Sequence, residues 1–238
     1  MYSFKSRIRY SEVNAQKELD IPGIINYFQD CSTFHSEDLG IGLEYLEKQN
    51  KVWMITNWHL KIVRFPYLGE EITISTWPSS FNAMFGYRSF TMSDSNGKLI
   101  AAANSIWVLM DMIKQRPIRT KSIEVEKYQL EEAFPMEDSK RKLEISSEYT
   151  KGEPLQVFRN HLDTNHHVNN GQYVKMAMEY LPPEFIVEEV LVEYKKSAIL
   201  GDIIYPKVSL SNKKCTIVLA GTEDLPYCIL EFRGASSN

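Results

Sequence analysis

The sequence predicts an α+β protein whose two halves follow the same element order. Three observations carry this expectation. Each half has one amphipathic helical pattern near its start, each helix is followed by several strand-like runs, and Asp94-Ser95-Asn96-Gly97 gives a hairpin signal that makes its flanking strands antiparallel.

The elements follow in order. A strand is expected over Phe4 to Tyr10. Asp20 then caps a helix in which Pro22 is tolerated in the first turn and Ile24, Tyr27, Phe28, Cys31 and Phe34 recur at helical spacing, with Gly40 beyond its end. That helix should be largely buried. Strands are expected at Val52 to Val63, Glu71 to Trp77, Gly86 to Ser93 and Leu99 to Leu109. From about Ile123 to Lys151 the chain turns acidic and loses periodicity, which reads as a linker with a solvated face. Beyond it come a short strand at Leu155 to Leu162, a helix from Gly171, and strands at Glu188 to Lys196, Ile203 to Leu210, Cys215 to Ala220 and Tyr227 to Phe232. The repeated order supports a tandem duplication in which pattern, rather than residues, is shared.

Composition narrows the function classes. A chain of 238 residues with 43% hydrophobic content can bury a real core. The formal charge of −4 argues against nucleic-acid binding, which needs a basic balance. Cys31, Cys215 and Cys228 are too few and too scattered for a disulfide framework, which fits a reducing cytosol, and are expected as buried packing. With no apolar signal core at the N-terminus and no long apolar run, a soluble cytoplasmic protein without stable membrane insertion is expected. No GxSxG, phosphate-loop or dinucleotide fingerprint is present.

The most informative stretch is Asp163-Thr164-Asn165-His166-His167-Val168-Asn169-Asn170. In an extended segment Asp163, Asn165 and His167 would share one face, with Thr164 and His166 on the other. Asn170 is a good N-cap for a helix with apolar positions at Tyr173, Met176, Ala177, Tyr180 and Leu181. Carboxylate, amide and imidazole beside an electropositive helix start are suited to attack on a carbonyl with oxyanion stabilisation. Residue by residue, the plainer reading is a turn, a cap and surface histidines. The first half has Gln16, Glu18 and Asp20 where the second has Asp163, Asn165 and His167, so one active site per chain is expected. A metal site using His161, His166 and His167 is disfavoured, because adjacent histidines on a strand point to opposite faces. His35 and His59 are isolated and expected to be structural.

The pattern Asp163, Asn165, His167, Val168, Asn169, Asn170 and Tyr173 resembles the active-site motif of the plant and bacterial acyl-acyl carrier protein (acyl-ACP) thioesterases. The likeness extends through Arg9-Tyr10-Ser11-Glu12-Val13, Trp53 to Trp58, Trp77-Pro78, Ser105-Ile106-Trp107 and Glu193-Tyr194-Lys195-Lys196, covering nearly the full chain. The resemblance implies a double hotdog fold, two tandem domains each with a long helix wrapped by a curved antiparallel sheet. The first would span 1–125, with an acyl-chain pocket lined by residues such as Trp53 and Phe81 or with those residues as ordinary core; a linker would span 126–150; the second, carrying the motif, would span 151–238. It implies hydrolysis of the thioester between a fatty acyl chain and acyl carrier protein, with no cofactor and no metal.

In this reading His167 is the general base for water and Asn165 positions water or carbonyl. Asp163 either orients His167 or attacks the carbonyl to form a mixed anhydride. Backbone N–H groups near Asn170 and Gly171 are the oxyanion candidates. The chain departs from the family where a further acid is expected, at Ser197, so either the trio suffices or Glu193, four residues earlier on the same expected strand face, takes the role. The family's cysteine position is Ala198, which disfavours cysteine nucleophilic catalysis. Acyl carrier protein is acidic, and Arg116, Arg119 and Lys121, or Lys195 and Lys196, are candidates for docking it. The alternatives are an acyl-coenzyme A thioesterase, a non-hydrolytic acyl-binding protein on the same fold, and a hotdog dehydratase. Monomer and homodimer are both compatible with two fused domains.

Overall fold

Asp20 accepts the Gly23 N–H at 2.8 Å and so opens α1 (Ile21–Asp38), the longest helix, with Pro22 in its first turn. A computed structural model describes residues 1–120, 125–137, 141–211 and 213–236. The chain divides into two compact units, Met1–Asp138 and Ser139–Asn238.

In the first unit β1 (Tyr2–Arg7) precedes α1. After α1 come a short α2 (Leu43–Lys48), β2 (Lys51–Ile62), β3 (Glu71–Asn82), β4 (Phe85–Asp94), β5 (Leu99–Asp111) and β6 (Arg116–Pro117). The strands are antiparallel in the order β1-β3-β4-β5-β2, with β6 on β5. The β4 to β5 hairpin turns where Gly97 takes a positive φ of 79° and Asp94 accepts the Asn96 and Lys98 N–H groups. α1 lies against this sheet. Its Phe28 ring meets Trp58 at 6.3 Å and Phe90 at 5.2 Å, all three fully buried, and each such side chain contributes about 1.5–3 kcal/mol relative to exposure.

A polar cluster interrupts this core at the last turn of α1. The buried Arg88 guanidinium contacts His35 Nδ1 at 3.0 Å, donates to Thr76 Oγ1 at 3.2 Å, and stands 5.2 Å from the centroid of the Tyr128 ring. Burial, and then the Arg88 charge, lower the His35 pKa to about 4. His35 is structural here, as its isolation in the sequence suggests.

The second unit contains β7 (Thr150–Lys151), β8 (Leu155–Gln156), α3 (Asn170–Met178), β9 (Phe185–Tyr194), β10 (Ile203–Ser211), β11 (Lys214–Ala220) and β12 (Pro226–Ser236). Strand order is β9-β12-β11-β10-β7, again antiparallel, with β8 on β10. Cys31, Cys215 and Cys228 are all buried free thiols. Among the described residues no helix is long and apolar enough to cross a membrane.

Two expectations need correction. The strand predicted over Leu155 to Leu162 is only two residues long, because Arg159–His161 winds into a 3-10 turn closed by the Phe158 N–H donating to His161 Nδ1 at 3.1 Å. The acidic connecting segment is also not simply a solvated tether. Trp77 Nε1 donates to the Glu132 carbonyl at 2.7 Å, Phe134 exchanges bonds with Ser89 and Asn104, and Leu143 is buried with Leu191, Val218 and Ile229. Leu130, Ile145 and Tyr149 of the same segment are exposed, so it packs through particular residues rather than along its length.

Candidate active site

The stretch Asp163 to His167 is a closed turn and not an extended strand. Asp163 N–H donates to the His167 carbonyl at 2.8 Å, and His166 N–H donates to the Asp163 carbonyl at 3.1 Å, with His166 in the left-handed region at φ 60°. Asp163 Oδ1 accepts two further N–H groups, from Asn165 at 2.8 Å and His167 at 3.2 Å. A short acidic side chain that captures local N–H groups outcompetes the strand ladder. This more than offsets the roughly 1–2 kcal/mol that a left-handed non-glycine residue costs. Asp163 and His167 are therefore brought together by turn closure, and the expected alternation of faces does not hold. Asn165 and His166 sit exposed at the tip, with Asp163 and His167 half-buried at the base.

The helix start is also displaced by one residue. Asn169, not Asn170, is the N-cap, and its Oδ1 accepts the Gly171 N–H at 2.8 Å. That bond engages the Gly171 donor, so of the two oxyanion candidates Gly171 is the one already committed. The Asn170 carbonyl receives the Tyr194 hydroxyl at 3.0 Å.

A second segment brackets the turn. His167 pairs with Ile199 in an antiparallel bridge, and Val168 N–H donates to the Ala198 carbonyl at 2.9 Å. Ala198 N–H in turn donates to the Tyr173 hydroxyl oxygen on α3 at 2.7 Å, a buried bond. Asp202 closes the loop beyond: its Oδ2 accepts the Ile199 N–H at 3.0 Å and the Tyr227 hydroxyl at 2.9 Å. Burial pushes the hydroxyls of Tyr173 and Tyr227 up, that of Tyr227 to about 12, so both stay neutral. The positioning network of Tyr173, Asp202 and Tyr227 was not anticipated. Tyr173 was counted as an apolar helix position, and the Leu200-Gly201-Asp202 turn signal was the available clue to the loop.

Ser197 is half-buried one residue before Ala198, in the bracketing segment but without a carboxylate. Glu193 does not replace it. On β9 the Tyr194 ring meets Tyr173 of α3, 5.9 Å between centroids, so Glu193 points to the opposite face of the sheet. There its Oε2 accepts the Leu143 N–H at 2.9 Å and its Oε1 pairs with Lys195. His161 is spent on the Phe158 N–H, and burial followed by the Lys175 charge lowers its pKa. Of the docking candidates, Arg116, Arg119, Lys195 and Lys196 are exposed, while Lys121 lies outside the described residues.

The same backbone device occurs in the first unit. Asn14 Oδ1 accepts the Gln16 and Glu18 N–H groups at 2.9 and 3.0 Å, Lys17 takes φ 63°, Leu19 N–H donates to Pro66, and Glu18 bridges Tyr67. The residues matching Asp163, Asn165 and His167 are thus Asn14, Gln16 and Glu18, two positions earlier than sequence matching placed them. Glu18 holds the place of the histidine.

The chain is similar to known proteins over most of its length. Residues 1–128 match the family model described as acyl-ACP thioesterase N-terminal domain, and residues 145–224 match the C-terminal domain model. The chain is 27% identical over 209 residues to a chloroplastic palmitoyl-acyl carrier protein thioesterase of Cuphea hookeriana, covering 79% of this chain and 50% of the relative. It is 24% identical over 225 residues to oleoyl-acyl carrier protein thioesterase 1 of Arabidopsis thaliana, covering 85% and 62%. The chain thus spans about half the length of some of the curated relatives it matches. Among solved structures, an acyl-ACP thioesterase from Bacteroides thetaiotaomicron superposes with a TM-score of 0.88 at 21% identity, covering 97% of this chain and 96% of that one. A 12:0-ACP thioesterase from Umbellularia californica gives 0.86 at 19%, covering 99% and 97%. These likenesses show the fold, α+β with two hotdog units.

Proposed function

The chain belongs to the acyl-ACP thioesterase family, and on that premise we propose that it hydrolyses the thioester of fatty acyl-[acyl carrier protein], releasing free fatty acid. The observation that carries the reading is the Asp163–His167 turn, held from below by its own carboxylate and from the side by Ala198 and Ile199, at the start of α3.

In the proposed reaction His167 takes a proton from water, the resulting hydroxide adds to the thioester carbonyl, and the C–S bond breaks to release thiolate and carboxylic acid. Asn165 positions water or carbonyl, and the Asn170 N–H at the helix start faces the developing oxyanion. With one oxygen already accepting two N–H bonds, Asp163 suits the orienting role better than the nucleophilic one, because those bonds stabilise the charge it would have to donate. The first unit, 1–125 with its aromatic interior, is proposed to hold the acyl chain, and the second, 151–238, to carry the chemistry. We place the reaction in the cytoplasm, with the acylated carrier as substrate and the chain acting as monomer or homodimer.

A chain-length series of acyl-ACPs tests the reading with wild type and His167→Ala. Thiol release at one or more lengths, lost in the variant, is expected. Release independent of His167 removes it as the base. One observation favours a second reading, an acyl-binding protein without turnover: neither Ser197 nor Glu193 offers a carboxylate to the turn. Tight acyl-ACP binding with no thiol release at any length would select it.

A further inference from the structure

We propose that Asp202 is a positioning residue for the reaction: it fixes Ile199, and through the Ile199 side chain it holds the His167 imidazole in place. The proposal deepens the hydrolase reading and rests on it for the reaction in which the effect is measured.

The bond from Val168 N–H to the Ala198 carbonyl makes His167 and Ile199 a non-hydrogen-bonded antiparallel pair. In such a pair the backbone polar groups point away from each other, the two Cα atoms lie about 4.5 Å apart, and the side chains stand side by side. An aspartate closes each outward edge. Asp163 gives its N–H to the His167 carbonyl at 2.8 Å and takes the His167 N–H on Oδ1 at 3.2 Å. Asp202 does the same for Ile199, giving its N–H to the Ile199 carbonyl at 3.1 Å and taking the Ile199 N–H on Oδ2 at 3.0 Å. Asp202 is itself tied down by the Tyr227 hydroxyl at 2.9 Å and by the Val157 N–H, which donates to its carbonyl at 2.9 Å. Ile199 is 52% exposed, so packing covers only half of it and the clamp sets where its side chain stands.

The first unit repeats this frame bond for bond around the bridged pair Glu18 and Tyr67. Asn14 gives its N–H to the Glu18 carbonyl at 2.9 Å and takes the Glu18 N–H at 3.0 Å. Glu70 gives its N–H to the Tyr67 carbonyl at 3.0 Å and takes the Tyr67 N–H on Oε2 at 3.0 Å. The two copies differ in what secures the outer acid: Arg64 Nη1 donates to Glu70 Oε2 at 3.0 Å, whereas Asp202 is secured by the neutral Tyr227 hydroxyl. The clamp is therefore a property of the fold, and it bears on rate only where the residue it holds is the histidine. A shift of about 1 Å in a reacting group costs as much as about 100-fold in rate, so the side chain beside the base matters. Glu70 is the internal control, with the same bonds and no imidazole across from it.

The test measures kcat and KM for an acyl-pantetheine thioester in wild type, Asp202→Ala, Asp202→Asn, Ile199→Ala, the double variant Asp202→Ala with Ile199→Ala, and Glu70→Ala. Asp202→Ala is expected to lower kcat about tenfold or more with KM within about twofold. Asp202→Asn, whose amide oxygen still accepts the Ile199 N–H, recovers most of that loss, and Glu70→Ala leaves kcat unchanged. Because Asp202 acts through Ile199, the double variant is expected to be no slower than Ile199→Ala alone. Unchanged kcat in Asp202→Ala overturns the proposal, as do losses that multiply in the double variant or an equal fall in Glu70→Ala. Should Asp202→Ala not fold, Tyr227→Phe loosens Asp202 without removing its bond to Ile199: a severalfold lower kcat at constant KM supports the proposal, and an unchanged kcat overturns it. If wild type hydrolyses no acyl thioester, the hydrolase reading fails separately, and the NMR signals of the His167 ring still decide. Displacement or broadening in Asp202→Ala but not in Glu70→Ala supports the proposal, and a change in both or in neither rejects it.

Discussion

Asn14 and Asp163 do the same structural work in the two units, each accepting through Oδ1 the N–H groups of the residues two and four positions ahead. One does so with an amide, the other with a carboxylate. The turn therefore does not require the charge, and the charge at 163 is available for another role.

For Asp163→Asn we expect a stability within about 0.5 kcal/mol of wild type, because the amide oxygen reproduces both bonds. Turnover should fall at least about 100-fold through loss of the orienting charge. Asp163→Ala removes both acceptors and should cost about 1–2 kcal/mol as well. Urea denaturation and thiol-release kinetics read the two effects, and full activity in the asparagine variant would show the carboxylate to be merely architectural.

Much of the fold was legible because it is written in periodicity. The apolar spacing of α1, the Asp94–Gly97 hairpin and the runs that became β2 to β5 and β9 to β12 fall within a few residues of their expected places. What was hidden involves local competition. Asp163-Thr164-Asn165 alternates like a strand, yet its carboxylate captures backbone N–H groups and closes a turn. The facing of Glu193 was misjudged because β9 ends at Tyr194, so counting alternate faces back from Ser197 crosses a break in the strand. α2 escaped notice because six residues with a single buried position, Leu46, leave no periodic signal.

Tyr173→Phe deletes only the hydroxyl that accepts the Ala198 N–H. Leaving that buried donor without a partner should destabilise the second unit by about 1–3 kcal/mol. If the bond also positions His167 through Val168, kcat should drop severalfold with KM nearly constant. A stability loss with kcat intact would confine Tyr173 to structure.

Glu193→Gln should keep turnover within about twofold while lowering stability by roughly 1–2 kcal/mol, since the residue serves Leu143 and Lys195 on the face away from α3. A collapse of kcat in a folded variant would return Glu193 to the chemistry.

His35 makes stability depend on pH. Its folded pKa, lowered to about 4, lies below the unfolded value near 6.5, so the unfolded chain binds more protons between the two. The neutral ring beside Arg88 therefore contributes fully above about pH 6.5, and that contribution is lost as pH falls toward 4. Urea midpoints of wild type should decline between pH 7 and 5 more steeply than those of His35→Gln, which has no imidazole to protonate. Parallel declines would place the acid sensitivity elsewhere.

Because Lys17 and His166 hold the same left-handed backbone and Asn14 already makes both clamping bonds, the first unit is a ready receptacle for transplanted chemistry. Writing Asp at 14 and His at 18 would copy the reactive pair onto a frame that need not move, giving protein engineers two interchangeable cassettes in one polypeptide.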